Sequence, residues 1–140
     1  AYVRTLSQDE AAQLLDAAPV LTPEEQVAEI RAAYGSAADG IIRLQKRFLD
    51  LTSEDTTALG GRILEAWPAI QEIAASVPPA VEIKRLLDHV GAPTDWHTLG
   101  LDVDQVQPGL LYGHYLRDRF TVLKLFRMLG VDVRSIVQAP

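Results

Sequence analysis

Apolar residues recur along this chain at spacings of three and four, the period of a helix with one buried face, and helix start and stop signals punctuate the recurrences. Ala11, Leu14, Leu15 and Ala18 form the first such face. Ser7 and Glu10 precede it at capping-box spacing, where the hydroxyl accepts from an early helix N–H and the carboxylate reaches back. Pro19 stops that segment. Thr22, Pro23 and Glu25 repeat the start with a proline at the first helical position, Val27, Ile30 and Tyr34 share a face, and Gly35 fits the left-handed position past the end. A third helix is predicted over Ala37 to Leu49, with Ile41, Leu44 and Phe48 turned one way and Arg43, Lys46, Arg47 and Asp50 the other.

Thr52 and Asp55 mark the next start. Leu59, Ile63, Trp67, Ile70, Ala74 and Val77 keep helical spacing straight through Pro68, so a kink or break is expected there, because proline removes one ladder hydrogen bond and clashes with the preceding turn. Gly60 and Gly61 soften this helix by about 1 kcal/mol each relative to alanine. Pro78 and Pro79 end it. Ile83, Leu86, Leu87 and Val90 then make a stripe expected to be buried, opposite Glu82, Lys84, Arg85 and Asp88, and Gly91 closes the segment. Residues 92–100 are too broken for more than a helical turn. Asp102 with Gln105 opens a helix carrying Val103, Val106, Leu110 and Leu111, strained by Pro108. Val122, Leu125, Phe126 and Leu129 line a last helix ending at Gly130. No run of β-branched residues keeps period two. The expected fold is all-α, about seven or eight helices in an orthogonal or irregular bundle, with residues 1–140 as a single helical domain. Ala1 to Leu6 read as the last turns of a helix without a start signal, which suggests a fragment.

Composition sets outer limits. The chain has 140 residues, 48% hydrophobic and 23% charged, as folded domains do. A net charge of −6 argues against a nucleic-acid or anionic-membrane surface, which needs clustered Lys and Arg. There is no cysteine, so disulfides, thiolate metal sites and thiol nucleophiles are excluded and the cytoplasm is the expected compartment. No apolar run reaches the length of a membrane span.

Candidate chemistry is sparse. His89 falls on the polar face of its segment and His97 in the 92–100 connection. His114 shares a face with Leu110 and Leu111, the position of a hydrogen-bonded core histidine. No two of them have the spacing of a helical ligand pair. Gly60-Gly61 follows no strand and is not a phosphate loop. Ser7, Ser36 and Ser53 lie where caps belong, and Trp67 and Trp96 are read as packing. One constellation stands out: Arg117, Asp118 and Arg119, two guanidinium forks beside a carboxylate between apolar segments. Either Asp118 caps the helix entered at Thr121 while the arginines pair with acids on neighbouring helices, or the cluster contacts an anion or another domain.

Three segments, L-L-D-H-V-G-A-P-T at Leu86–Thr94, L-G-L-D at Leu99–Asp102 and L-R-D-R-F-T-V-L at Leu116–Leu123, resemble the C-terminal helical domain of sn-glycerol-1-phosphate dehydrogenases. That family lies within the iron-containing alcohol dehydrogenase and dehydroquinate synthase superfamily, and the likeness is densest over about Leu86 to Gly130. The resemblance implies a dehydroquinate-synthase-like C-terminal domain from a two-domain NAD(P) oxidoreductase that reduces dihydroxyacetone phosphate with a divalent metal, zinc or iron. It implies an N-terminal nucleotide-binding domain as partner and leaves a homo-oligomer open. The family's metal is held by an Asp and two His, one within an H-G-E motif; neither that motif nor a glycine-rich dinucleotide loop occurs here. No catalytic, cofactor-binding or metal-ligating residue is therefore assigned in this chain, and Arg117, Asp118 and Arg119 stand as its anion or interdomain contact. The rival expectations are a stand-alone helical interaction module and the same domain from a glycerol dehydrogenase-like relative.

Overall fold

The structure, a computed structural model, describes residues 2–137; Ala1, read as part of the opening helix, lies outside the described residues. Among those residues there is no strand, and the all-α expectation holds. Helix α1 (Tyr2–Thr5) leads into α2 (Gln8–Ala17), which starts on the Ser7–Glu10 capping box. Helix α3 (Pro23–Tyr34) starts on Thr22 and Glu25 in the same way. A 3₁₀ turn over Gly35–Ala37 joins it to α4 (Ala38–Leu49). Thr52 and Asp55 cap α5 (Ser53–Glu65). Each box satisfies two orphan backbone donors at its helix start. Of the serines read as caps, only Ser7 serves: Ser53 is inside α5 behind Thr52, and Ser36 lies in the 3₁₀ turn.

Pro68 breaks rather than bends the chain. Helix α5 ends at Glu65, and α6 (Trp67–Ser76) begins afresh with Pro68 in its first turn, where the missing N–H has no helical partner to lose. After Pro78-Pro79 come α7 (Ala80–His89), a 3₁₀ turn over His97–Leu99, and α8 (Val103–Tyr112), capped by Asp102 and Gln105 and unbroken at Pro108. A 3₁₀ turn over Gly113–Leu116 precedes α9 (Val122–Met128), and a short α10 (Val133–Val137) follows, which the hydrophobic pattern did not predict.

Two apolar clusters hold these pieces. In the first, Val3, Leu6, Ala11, Ile63, Trp67 and Leu129 bring α1, α2, α5, α6 and the end of α9 together. Trp67 is its centre: only 1% exposed, with its indole N–H donating to the Leu6 carbonyl at 3.0 Å. Arg4 ties α1 to the end of α6, donating to the carbonyls of Ala74 at 2.7 Å and of Val77. Gly130, with φ +65°, lets the chain leave α9 where an added Cβ would meet Ala18 Cβ at 3.3 Å. In the second cluster, Ile30, Ala38, Leu49 and Tyr115 join α3 and α4 to the turn after α8.

Two expectations about faces fail. The stripe of α7 is not buried: Ile83, Leu86, Leu87 and Val90 are exposed, as is every residue of that helix. Periodicity reports which residues share a face, not whether anything covers it. On α4, Leu44 is exposed while its neighbour Gln45 is only 1% exposed, because the buried side of that helix meets backbone carbonyls and needs a donor. Trp67→Ala is expected to lower unfolding free energy by about 3–5 kcal/mol in urea titration, the range for deleting a fully buried large side chain.

Candidate functional site

The segment between α8 and α9 carries the residues singled out in the sequence, and buried polar side chains hold it in place. Gln45 of α4 donates through Nε2 to the carbonyls of Tyr115 at 2.7 Å and Arg117 at 2.8 Å. Lys124 of α9 donates through Nζ to the carbonyls of Arg117 at 2.7 Å and Arg119 at 3.1 Å, and its ammonium lies 3.7 Å from the centre of the Phe48 ring. Four hydrogen bonds to three loop carbonyls fix the path of residues 115–119. Burial lowers Lys124 from 10.5 to about 8, opposed by Asp118 and assisted by Arg47.

Beside this strut, Glu29 of α3 accepts from the Tyr115 hydroxyl at 2.8 Å and from Arg127 Nη2 of α9 at 2.5 Å, a half-buried pair bridging two helices and the turn. Burial raises the Tyr115 pKa, so the phenol stays a donor. His114, 4% exposed, is the core histidine its pattern predicts. Its Nδ1 lies 2.9 Å from the Leu111 carbonyl, which can only accept, so Nδ1 carries the hydrogen and the unpartnered Nε2 presents a lone pair. Burial first, then the Arg127 charge, bring its pKa from 6.5 to about 4. His89 and His97 are exposed and lie apart from this network.

Arg117, Asp118 and Arg119 are exposed. The structural role expected of them is overturned: Thr121, not Asp118, caps α9 by accepting from the Lys124 N–H, and neither arginine forms an ion pair among the described residues. Their backbone is bound and their side chains point outward from a fixed base. Gln45, Lys124, Glu29 and Tyr115 were missed as network members. A polar residue inside an apolar period was the only signal, present for Gln45 and Lys124 alone.

The network also forms the floor of a cleft of about 670 Å³ between the α2–α3 connection, α5 and α9. Phe48, Leu51, Leu59 and Met128 line its walls, and Gly60 and Gly61 open one side. Among the described residues no three His, Cys, Asp or Glu side chains stand close enough to hold a metal ion. No helix there is long and apolar enough to cross a membrane. These residues therefore do not fit the metal that the family resemblance implies, and no chemical step is assigned to one here.

Compared with known proteins, the chain is 29% identical over 63 residues to a glycerol-1-phosphate dehydrogenase [NAD(P)+] of Bacillus licheniformis, a stretch covering 45% of this chain and 16% of that protein. The matched stretch thus spans about a sixth of the relative's length. No protein-family model matches the chain, and no solved structure matches it.

The histidine gives a pH signature. Its folded pKa lies below its unfolded value, so the unfolded chain binds the extra proton between pH 6.5 and 4, and stability falls as pH falls through that window. Relative to His114→Gln, the wild type is expected to lose about 2–3 kcal/mol between pH 7 and pH 4. Denaturant titrations of both proteins at each pH measure this, the carboxylates common to both cancelling in the difference.

Proposed function

We propose that this chain is the helical portion of a glycerol-1-phosphate-dehydrogenase-like oxidoreductase, acting on a phosphorylated triose with NAD(P) and a divalent metal that other parts of such a protein supply. The observation that carries the reading is the agreement between two things: the L-R-D-R-F-T-V-L block with its companions, and the 63-residue likeness to a dehydrogenase of that activity. When bound, the metal would polarise a ketone and the dinucleotide would deliver hydride. Neither group is given a place among these residues.

In this reading the chain contributes a rigid docking and anion-contact edge. Arg117 and Arg119 present charged forks suited to carboxylate or phosphate, on a backbone that Gln45 and Lys124 hold by its carbonyls. Their partner is an N-terminal nucleotide-binding domain or the anionic substrate held between the two. A second reading, a stand-alone helical interaction module, draws on the uncovered apolar face of α7.

Arg119→Ala separates a contact role from a folding role. With its side chain exposed and without an ion pair, the substitution is expected to change unfolding free energy by less than about 0.5 kcal/mol. In the complete enzyme the same change should raise KM for the phosphorylated substrate or weaken domain association. The isolated chain should bind neither zinc nor NADH stoichiometrically in calorimetry. Tight binding of either by these 140 residues would refute the proposal.

A further inference from the structure

Between α6 and α8 the chain runs uncovered for a long way. From Ala75 to Gln105 every residue except Ala92, Thr94 and Trp96 is exposed. Nine of the fifteen large apolar side chains exposed among the described residues fall there, between Val77 and Val103, so the bare apolar surface is concentrated in one segment. The whole chain has 9560 Å² of accessible surface, where a folded monomer of 15.4 kDa has about 7200 Å² by size scaling. That surplus is about three times the area, about 800 Å², that each partner gives to a standard protein–protein interface.

Helix α7 gathers the apolar part of this segment on one side. Ile83, Leu86, Leu87 and Val90 lie within about 100° of arc, while Val81 lies nearly opposite them. The four positions are symmetric about the midpoint between Leu86 and Leu87, so the stripe has the same spacing read in either direction. A copy of the helix laid antiparallel therefore matches it, Ile83 level with the second copy's Val90 and Leu86 level with its Leu87. A two-fold contact requires this kind of self-complementarity.

Charge favours the same arrangement. In antiparallel helices related by a dyad, like edges meet. Glu82 and His89 border the stripe on one edge, and the Lys84–Asp88 pair, 3.1 Å apart, lies beyond the other. Inversion brings Glu82 toward the second copy's His89 and sets Lys84–Asp88 against its own reverse, positive facing negative. A parallel pair would set Glu82 on Glu82 and Lys84 on Lys84, which like charges oppose.

We propose that the apolar face of α7 docks on the same face of a second copy of this chain, antiparallel, about a dyad between Leu86 and Leu87. The contact does not rest on the dehydrogenase reading, and its failure would leave that reading untouched.

Sedimentation equilibrium on the 140-residue chain, up to about 100 μM, tests the contact within the range of a weak interface. A reversible dimer of twice 15.4 kDa is expected. Leu86→Glu should weaken it at least tenfold without lowering Tm, because α7 contributes to neither core. Val81→Glu, as exposed but on the opposite side of the helix, should leave it unchanged. Since the chain has no cysteine, mixing Ile83→Cys with Val90→Cys under oxidation reads the direction: the mixed disulfide should dominate over both self-linked products. Four results overturn the proposal: a chain monomeric throughout, as when the nucleotide-binding domain is what covers α7; growth beyond two chains, the mark of a head-to-tail contact; a dimer indifferent to Leu86→Glu; or self-linked products in excess, which a parallel pair would give.

Discussion

The carbonyl of Arg117 receives two buried donors, one from α4 and one from α9, and much of the rest depends on that meeting. A loop between two helices normally satisfies its backbone with water. Here Gln45 and Lys124 take water's place, so residues 115–119 are tied to α4 and α9 through their carbonyls while Arg117, Asp118 and Arg119 remain on the surface. Burying an ammonium is costly, and the drop of the Lys124 pKa to about 8 expresses that cost. Carbonyl oxygens, the Phe48 ring and the Asp118 charge offset part of it.

Most of the fold was legible because its helix starts are chemical rather than statistical. Ser7, Thr22, Thr52 and Asp102 each stand three residues before a side chain that completes a capping box, and all four boxes form. Pro68 was legible as a discontinuity, though its form, a new helix with proline in the first turn, depends on how Trp67 is buried. The α7 stripe shows where pattern reading stops: Ile83, Leu86, Leu87 and Val90 align as a core face would, but coverage is a property of a partner, which the stripe does not contain.

The site was legible only in part. Arg117, Asp118 and Arg119 were visible as a cluster, yet their structural use passes through backbone atoms, to which no residue pattern points. Gln45 and Lys124 each interrupt an apolar period, and either interruption would ordinarily be read as a solvated position. Long-range pairs such as Tyr115 with Glu29, 86 residues apart, leave no local trace at all. The likeness to the Bacillus licheniformis dehydrogenase covers 45% of the chain and carries a proposal of membership, while the polar network rests on geometry alone.

Helix α7 has a thermodynamic consequence of its own. Ten residues are fewer than an isolated helix needs to be stable in water, and none of these ten is buried. Its support is local: Pro79 before it, Gly91 after it, and a Lys84–Asp88–Thr94 cluster on one side. Such a segment opens without disturbing the Trp67 cluster, so its amide protons should exchange with solvent far faster than those of α5 or α9. Helix α7 is therefore a weakly held excursion between Pro79 and Gly91, while the chain on both sides of it returns to the shared cores.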